Sequence, residues 1–212
     1  MKFSVTQNDV PLDPSKYDWN KNSGVFSTNE NDLVLDFSNI NRVIFKTGSG
    51  CIFVTGDYCT FDTGSNCTFD TGSDCKFDTG PGCTFNTGAR CTFVTGYNCT
   101  FKTGAYCTFN TIFNCTFTTG DYCMFVTGSY CTFYTNSYCT FDTTSDCKFT
   151  IDDKCTIRTY YNSRIKMKEN CAIHRIDTDE VWMLSNCMIQ TNEKNESGYL
   201  DEDELICKDI IE

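Results

Sequence analysis

A cysteine and a phenylalanine recur together at one fixed spacing, and that spacing restricts the chain more than any other feature. Cysteine holds every eighth position from Cys51 to Cys155, fourteen times, and phenylalanine every eighth position from Phe45 to Phe149, also fourteen times. The stretch "TGDYCTFDTGSNCTFDTGSDCKFD" (55–78) carries three units of the form T-G-x-x-C-x-F-x. Self-similarity of this kind marks a repetitive architecture. A glycine every eight residues among β-branched threonines makes a very poor helix. In a strand, positions two apart share a face, so Cys59 and Phe61 point one way and Thr60 the other. Each octad reads as a strand of four or five residues followed by a tight corner.

A strand that short cannot hold itself folded. Burying one phenylalanine is worth about 1.5–3 kcal/mol, whereas ordering each residue costs about 1–2 kcal/mol. Octads must therefore stack on copies of themselves, as in a β-solenoid. The expected core holds Cys59, Cys67, Cys75, Cys83, Cys91 and Cys99 beside Phe61, Phe69, Phe77, Phe85, Phe93 and Phe101. The glycines Gly56, Gly64, Gly72, Gly80, Gly88, Gly96 and Gly104 are read as corners whose backbone adopts positive φ. Asn136 in place of one such glycine fits that reading, because asparagine tolerates the same region. Ile112 and Thr144 do not fit it, and distorted corners are expected there.

One octad cannot close around a phenylalanine, but two can, which makes the coil a pair of octads with opposed strands. The position before cysteine supports this doubled period. One alternate set reads Gly50, Asn66, Gly82, Asn98, Asn114, Tyr130 and Asp146; the other reads Tyr58, Asp74, Arg90, Tyr106, Tyr122, Tyr138 and Lys154. Octads of the two sets thus lie on different walls. About eight coils spaced about 4.8 Å apart would make a rod of roughly 40 Å. Residues 35–174 form this expected all-β solenoid, with an N-terminal cap over 1–34 and an acidic C-terminal cap over 175–212. The stretches "VPLDPSKYDW" and "VWMLSNCMIQ" are the expected cap segments, and a short helix or a hairpin would suit the acidic end around Leu200, Leu205, Ile206, Ile210 and Ile211.

Three chemistries compete for the cysteines. Stacked neighbours are close enough for disulfides but awkwardly placed between parallel strands. Zinc sites want clustered ligands, and C-x7-C with the single histidine His174 offers none. Free thiols that act as small apolar fillers beside phenylalanine are the preferred reading. No metal or other cofactor is expected. Asp62, Asp78 and Asp74 could approach one another, but solvated surface carboxylates are the plainer account. His174 and Arg175 read as cap residues. Enzymatic activity is not expected, since active sites favour loops and the period runs without an insertion for over a hundred residues.

Two surface columns stand out. Thr68, Thr84, Thr100, Thr116 and Thr132 line one wall, much as in the threonine-rich insect antifreeze solenoids, although the second outward position varies. Tyr106, Tyr122 and Tyr138 form a candidate interaction patch, because aromatic residues favour interfaces. The net charge of −11 argues against a nucleic-acid backbone or an anionic membrane as partner. Acids outnumber bases most heavily over residues 159–212, by 12 to 6. No apolar stretch reaches the length of a membrane span, and the N-terminal sequence lacks an apolar signal core. An intracellular location is expected, with a protein partner or self-association through the caps.

The unit "CTFxTGxx", as in Cys59–Asn66, resembles the Cys/Phe octapeptide-repeat proteins encoded by large DNA viruses of amoebae and by some microbes. The resemblance spans residues 43–173. It implies a β-solenoid and carries no settled activity. The expected function is a non-enzymatic structural or protein-interaction module, a component of a virus particle or of its contact with a host. Ice or crystal-surface binding, and an acidic mimic of nucleic acid, are the alternatives.

Overall fold

A computed structural model describes residues 3–160, 163–168 and 170–176 in full, and the backbone of Glu180–Ser185, Met188–Thr191, Leu200–Asp201 and Glu204–Ile206. Over these residues the protein is all-β, a β-solenoid of about nine turns built from two facing 13-stranded sheets. Successive octads alternate between the sheets. Thr60–Thr63 and Lys76–Thr79 lie in one, Thr68–Thr71 and Thr84–Thr87 in the other. Neighbours within a sheet are parallel, in register and two octads apart in sequence, so Phe77 pairs with Phe61 on one side and Phe93 on the other.

The core follows the octad. Phenylalanine and cysteine are buried along the whole repeat, and the variable residue after phenylalanine faces outward. The phenylalanines form two columns. Within a column the rings lie flat on one another, as Phe77 does on Phe93 at 4.8 Å and 3°. Between columns they meet edge to face, as Phe85 meets Phe93 at 5.2 Å and 74°. Both geometries suit the aromatic quadrupole. The threonine before the corner glycine also points inward, and the hydroxyl of Thr79 donates to the carbonyl of Gly80. The cysteines from Cys51 to Cys155 carry free thiols.

The corners depart from the sequence reading. Gly72 and Gly104 do not have positive φ; the left-handed residue is the one just before cysteine. Tyr58, Asp74, Arg90, Tyr106, Tyr122 and Tyr138 all lie at φ 57–61°, while Gly50 and Gly82 fill the matching place in the opposite corner at 70° and 74°. The repeated glycine serves close approach between coils instead. A Cβ on Gly104 would sit 2.9 Å from the Ala89 nitrogen and 3.1 Å from its Cα. The bare backbone lets Gly104 N–H donate to Gly88 C=O at 3.1 Å, which carries the hydrogen-bond ladder around the bend. Asn136 is likewise not left-handed, so its tolerance of that region does not explain its presence.

The corners at Ile112 and Thr144 are altered in a local way. Thr95 and Thr127 donate to the carbonyl of the next residue, but the Thr111 hydroxyl has no partner. The Thr63 hydroxyl shares that state although Gly64 follows it. Before Thr144, the Thr143 hydroxyl turns to Thr159 and to the Arg158 carbonyl.

Parallel stacking would leave an open edge at each end of each sheet, a template for unwanted pairing. Antiparallel strands cover these edges. Ser4–Gln7 lies against Leu33–Phe37, and Asp18–Asn20 lies against Val25–Ser27. At the far end Glu180–Ser185 covers Cys171–Arg175, and Glu204–Ile206 covers Arg164–Met167. The acidic end thus contains short antiparallel strand pairs, Leu200–Asp201 with Glu204–Ile206 among them. The side chains of Leu200, Leu205 and Ile206, like all of Ile210 and Ile211, lie outside the described residues.

Candidate interaction surface

The left-handed corner positions build a regular column on the surface of the described residues. Residues two octads apart stack into a column that begins at Arg42 and runs through Tyr58, Asp74, Arg90, Tyr106, Tyr122, Tyr138 and Lys154 to Asn170, and every one has φ near 60°. Bulky L-residues pay about 1–2 kcal/mol each for this conformation. Glycine would relieve that cost, and the opposite corner uses it twice, but this column never does. Contacts between successive side chains offset the strain.

Those contacts are specific. Tyr106 lies flat on Tyr122 at 4.9 Å and 1°, and Tyr122 on Tyr138 at 4.7 Å and 10°. Stacked pairs of this kind contribute about 0.5–1.5 kcal/mol. Lys154 continues the stack, its Nζ 2.7 Å from the Tyr138 hydroxyl and 4.9 Å from the ring centroid. That hydrogen bond raises the Lys154 pKa. Further along, Arg90 grips Asp74 with two hydrogen bonds of 2.7 and 2.8 Å, and so holds the Asp74 carboxyl below the usual carboxylate range. Arg42 lies over the Tyr58 ring at 5.5 Å.

The three tyrosines named from the sequence are therefore brought together, each about half exposed (Tyr106 58%, Tyr122 46%, Tyr138 43%). Stacking covers their ring faces and leaves edges and hydroxyls outward. The column can offer hydrogen bonds at regular steps, with Lys154 at one end and Arg90 at the other. It cannot offer a free aromatic face along its middle.

The sequence-derived core residues, Cys59 through Cys99 and Phe61 through Phe101, are all buried. The thiols stack too: the Cys75 Sγ accepts from the Cys59 backbone N–H at 3.4 Å. Thiol hydrogen bonds with Cys59 and Cys91, together with burial, push the Cys75 thiol well above its ordinary value, and Cys51 and Cys83 do the same to Cys67. A buried protonated thiol is a poor nucleophile. Asp62 and Asp78 are register neighbours on an outer wall, but Asp74 turns away to Arg90 at the corner. Among the described residues no cluster of three metal-ligating side chains forms.

The threonines Thr68, Thr84, Thr100, Thr116 and Thr132 form one unbroken register column. Their outward companions are Asp70, Asn86, Lys102, Thr118 and Tyr134, so a paired threonine array occurs on one strand alone among these five. At the N-terminal end, a polar cleft of about 620 Å³ lies between the cap and the first coils, lined in part by Lys16, Tyr17, Thr28, Lys46 and Asp62.

Sequence reasoning missed a second aromatic feature on the opposite corner, where Tyr97 stacks on Phe113 at 5.0 Å and 3°. The signal was available: two aromatics stand two octads apart, beside the one isoleucine that replaces a corner glycine. No protein-family model, curated protein sequence or solved structure matches this chain.

Proposed function

We propose that the protein is a non-enzymatic interaction module, a rigid rod whose work is done by its surface. The observation that carries this reading is the strained tyrosine column. Backbone preference alone favours glycine or asparagine at left-handed positions, yet Tyr106, Tyr122 and Tyr138 stand there exposed. Residues kept against backbone preference concentrate at functional sites. The likeness to virus-encoded octapeptide-repeat proteins supports a role for the rod on a virus particle or at its contact with a host, inside a cell.

A photocrosslinking residue at position 122 tests this. In an extract of the source cells it should capture a defined protein that the same probe at position 66, on the opposite corner, does not. Identical capture from both positions, or none from 122, sinks the reading.

Ice or crystal-surface binding is a second reading, favoured by the unbroken threonine column from Thr68 to Thr132. An ice-recrystallisation assay at micromolar protein decides it, and loss of inhibition on Thr100→Lys would tie any effect to that column.

A further inference from the structure

The corner at Ile112 breaks the repeat in a way that internal packing does not explain. Most octads place glycine there, and Ile112 is 55% exposed. At this corner the Thr111 hydroxyl lacks the carbonyl bond that Thr95 and Thr127 make in the coils on either side. The isoleucine is not alone. Val94 and Tyr97 on one coil, Phe113 on the next, and Val126 and Tyr130 on the third are also exposed, Tyr130 by 64%. Residues 92–98, 108–114 and 124–130 contain no Asp, Glu, Lys or Arg. In a chain with 21% charged residues, three consecutive coils thus present an uncharged, apolar corner.

From these observations we propose that this corner is the docking surface for a second copy of the chain. The inference rests on the reading of the rod as a non-enzymatic interaction body, and it names the partner. An uncharged patch gives a charged partner nothing to pair with, whereas a second copy supplies an equally apolar surface by symmetry. The size suits a dimer. The six side chains expose roughly 500 Å², so two copies together would bury roughly 1,000 Å² before any threonine and asparagine rim, which reaches the lower range of specific interfaces.

Sedimentation velocity over a concentration series tests the proposal. The wild-type chain should form a species of twice its 24.0 kDa mass. Ile112→Gly restores the repeat, so it should melt at the same or a higher temperature and yet weaken association about tenfold or more. Phe113→Asp should weaken it further while circular dichroism shows the β-rich fold intact. Lys148→Ser, outward on the other sheet, should leave the dimer unchanged. A wild-type chain that stays monomeric at concentrations on the order of 100 μM overturns the proposal. So does an Ile112→Gly variant that associates as tightly as wild type. A monomeric rod whose position-122 probe still captures a partner would overturn the dimer and leave the interaction reading standing. A dimer that position-112 variants disrupt, with no partner at position 122, would do the reverse.

Discussion

Phe85 lies flat on Phe101, ring centroids 4.8 Å apart and planes within 2°, although two full octads separate them in sequence. Phe93, midway between them in sequence, meets both edge-on at 5.2 Å from the facing wall. Each ring in the body is thus held from above, from below and from across. Removing one ring leaves a cavity that rigid neighbours cannot fill. Phe101→Ala should cost about 3–5 kcal/mol in chemical denaturation. A loss below about 1 kcal/mol would show that the columns do not carry the core.

The corner glycines should fail for a steric reason. On Gly104, a methyl group would press on the Ala89 backbone and strain the bond from Gly104 N–H to Gly88 C=O. Gly104→Ala should cost about 1–3 kcal/mol. Gly82→Asn should cost less than about 1 kcal/mol, because its column already holds left-handed Asn66 and Asn98. Equal costs measured by the same denaturation curves would undo the distinction between close approach and backbone freedom.

The buried cysteines should be thiols. A thiol reagent applied to denatured, unreduced protein should find most of the 17 cysteines reactive, and the native protein near neutral pH should react slowly. A count near one after denaturation would mean that the columns are bridged.

Alkaline pH should weaken the fold. Hydrogen bonds that the Cys67 and Cys75 thiols donate to neighbouring sulfurs, together with burial, raise both above their ordinary value of 9.0, while the accepting Cys51 and Cys59 fall to about 7 and add no further change above pH 9. Above pH 9 the unfolded chain releases protons that Cys67 and Cys75 keep when folded. Their contribution is therefore complete below pH 9 and declines as pH rises beyond it. Each such thiol steepens the decline by about 1.4 kcal/mol per pH unit. A melting temperature that stays flat from pH 9 to 11 would count against burial of the protonated form.

Much of this fold is legible in the sequence because one unit recurs with little variation. The Cys and Phe spacing fixes the buried face, and the contrast between the sets containing Asn66 and Tyr122 reveals the two-octad coil. The role of glycine is not legible in the same way. Spacing shows that position 104 wants a small residue, but only the coil beneath, at Ala89, shows why. The left-handed position left a trace in Gly50, Asn66, Gly82 and Asn98, which the tyrosines of the other column obscured. The cap strands have no period to read. Glu180–Ser185 pairs with Cys171–Arg175 because an open sheet edge needs a partner, a demand set by the stack and not by local sequence.

The two-octad coil itself rests on contact between Phe85 and Phe101. A double-mutant cycle with Phe85→Leu and Phe101→Leu measures that contact, since residues that touch are energetically coupled and distant ones add. The stacked rings require a coupling of about 0.5 kcal/mol or more. Additive effects for this pair, alongside coupling between Phe93 and Phe101, would mean that the coil repeats every octad and would contradict the structure described here.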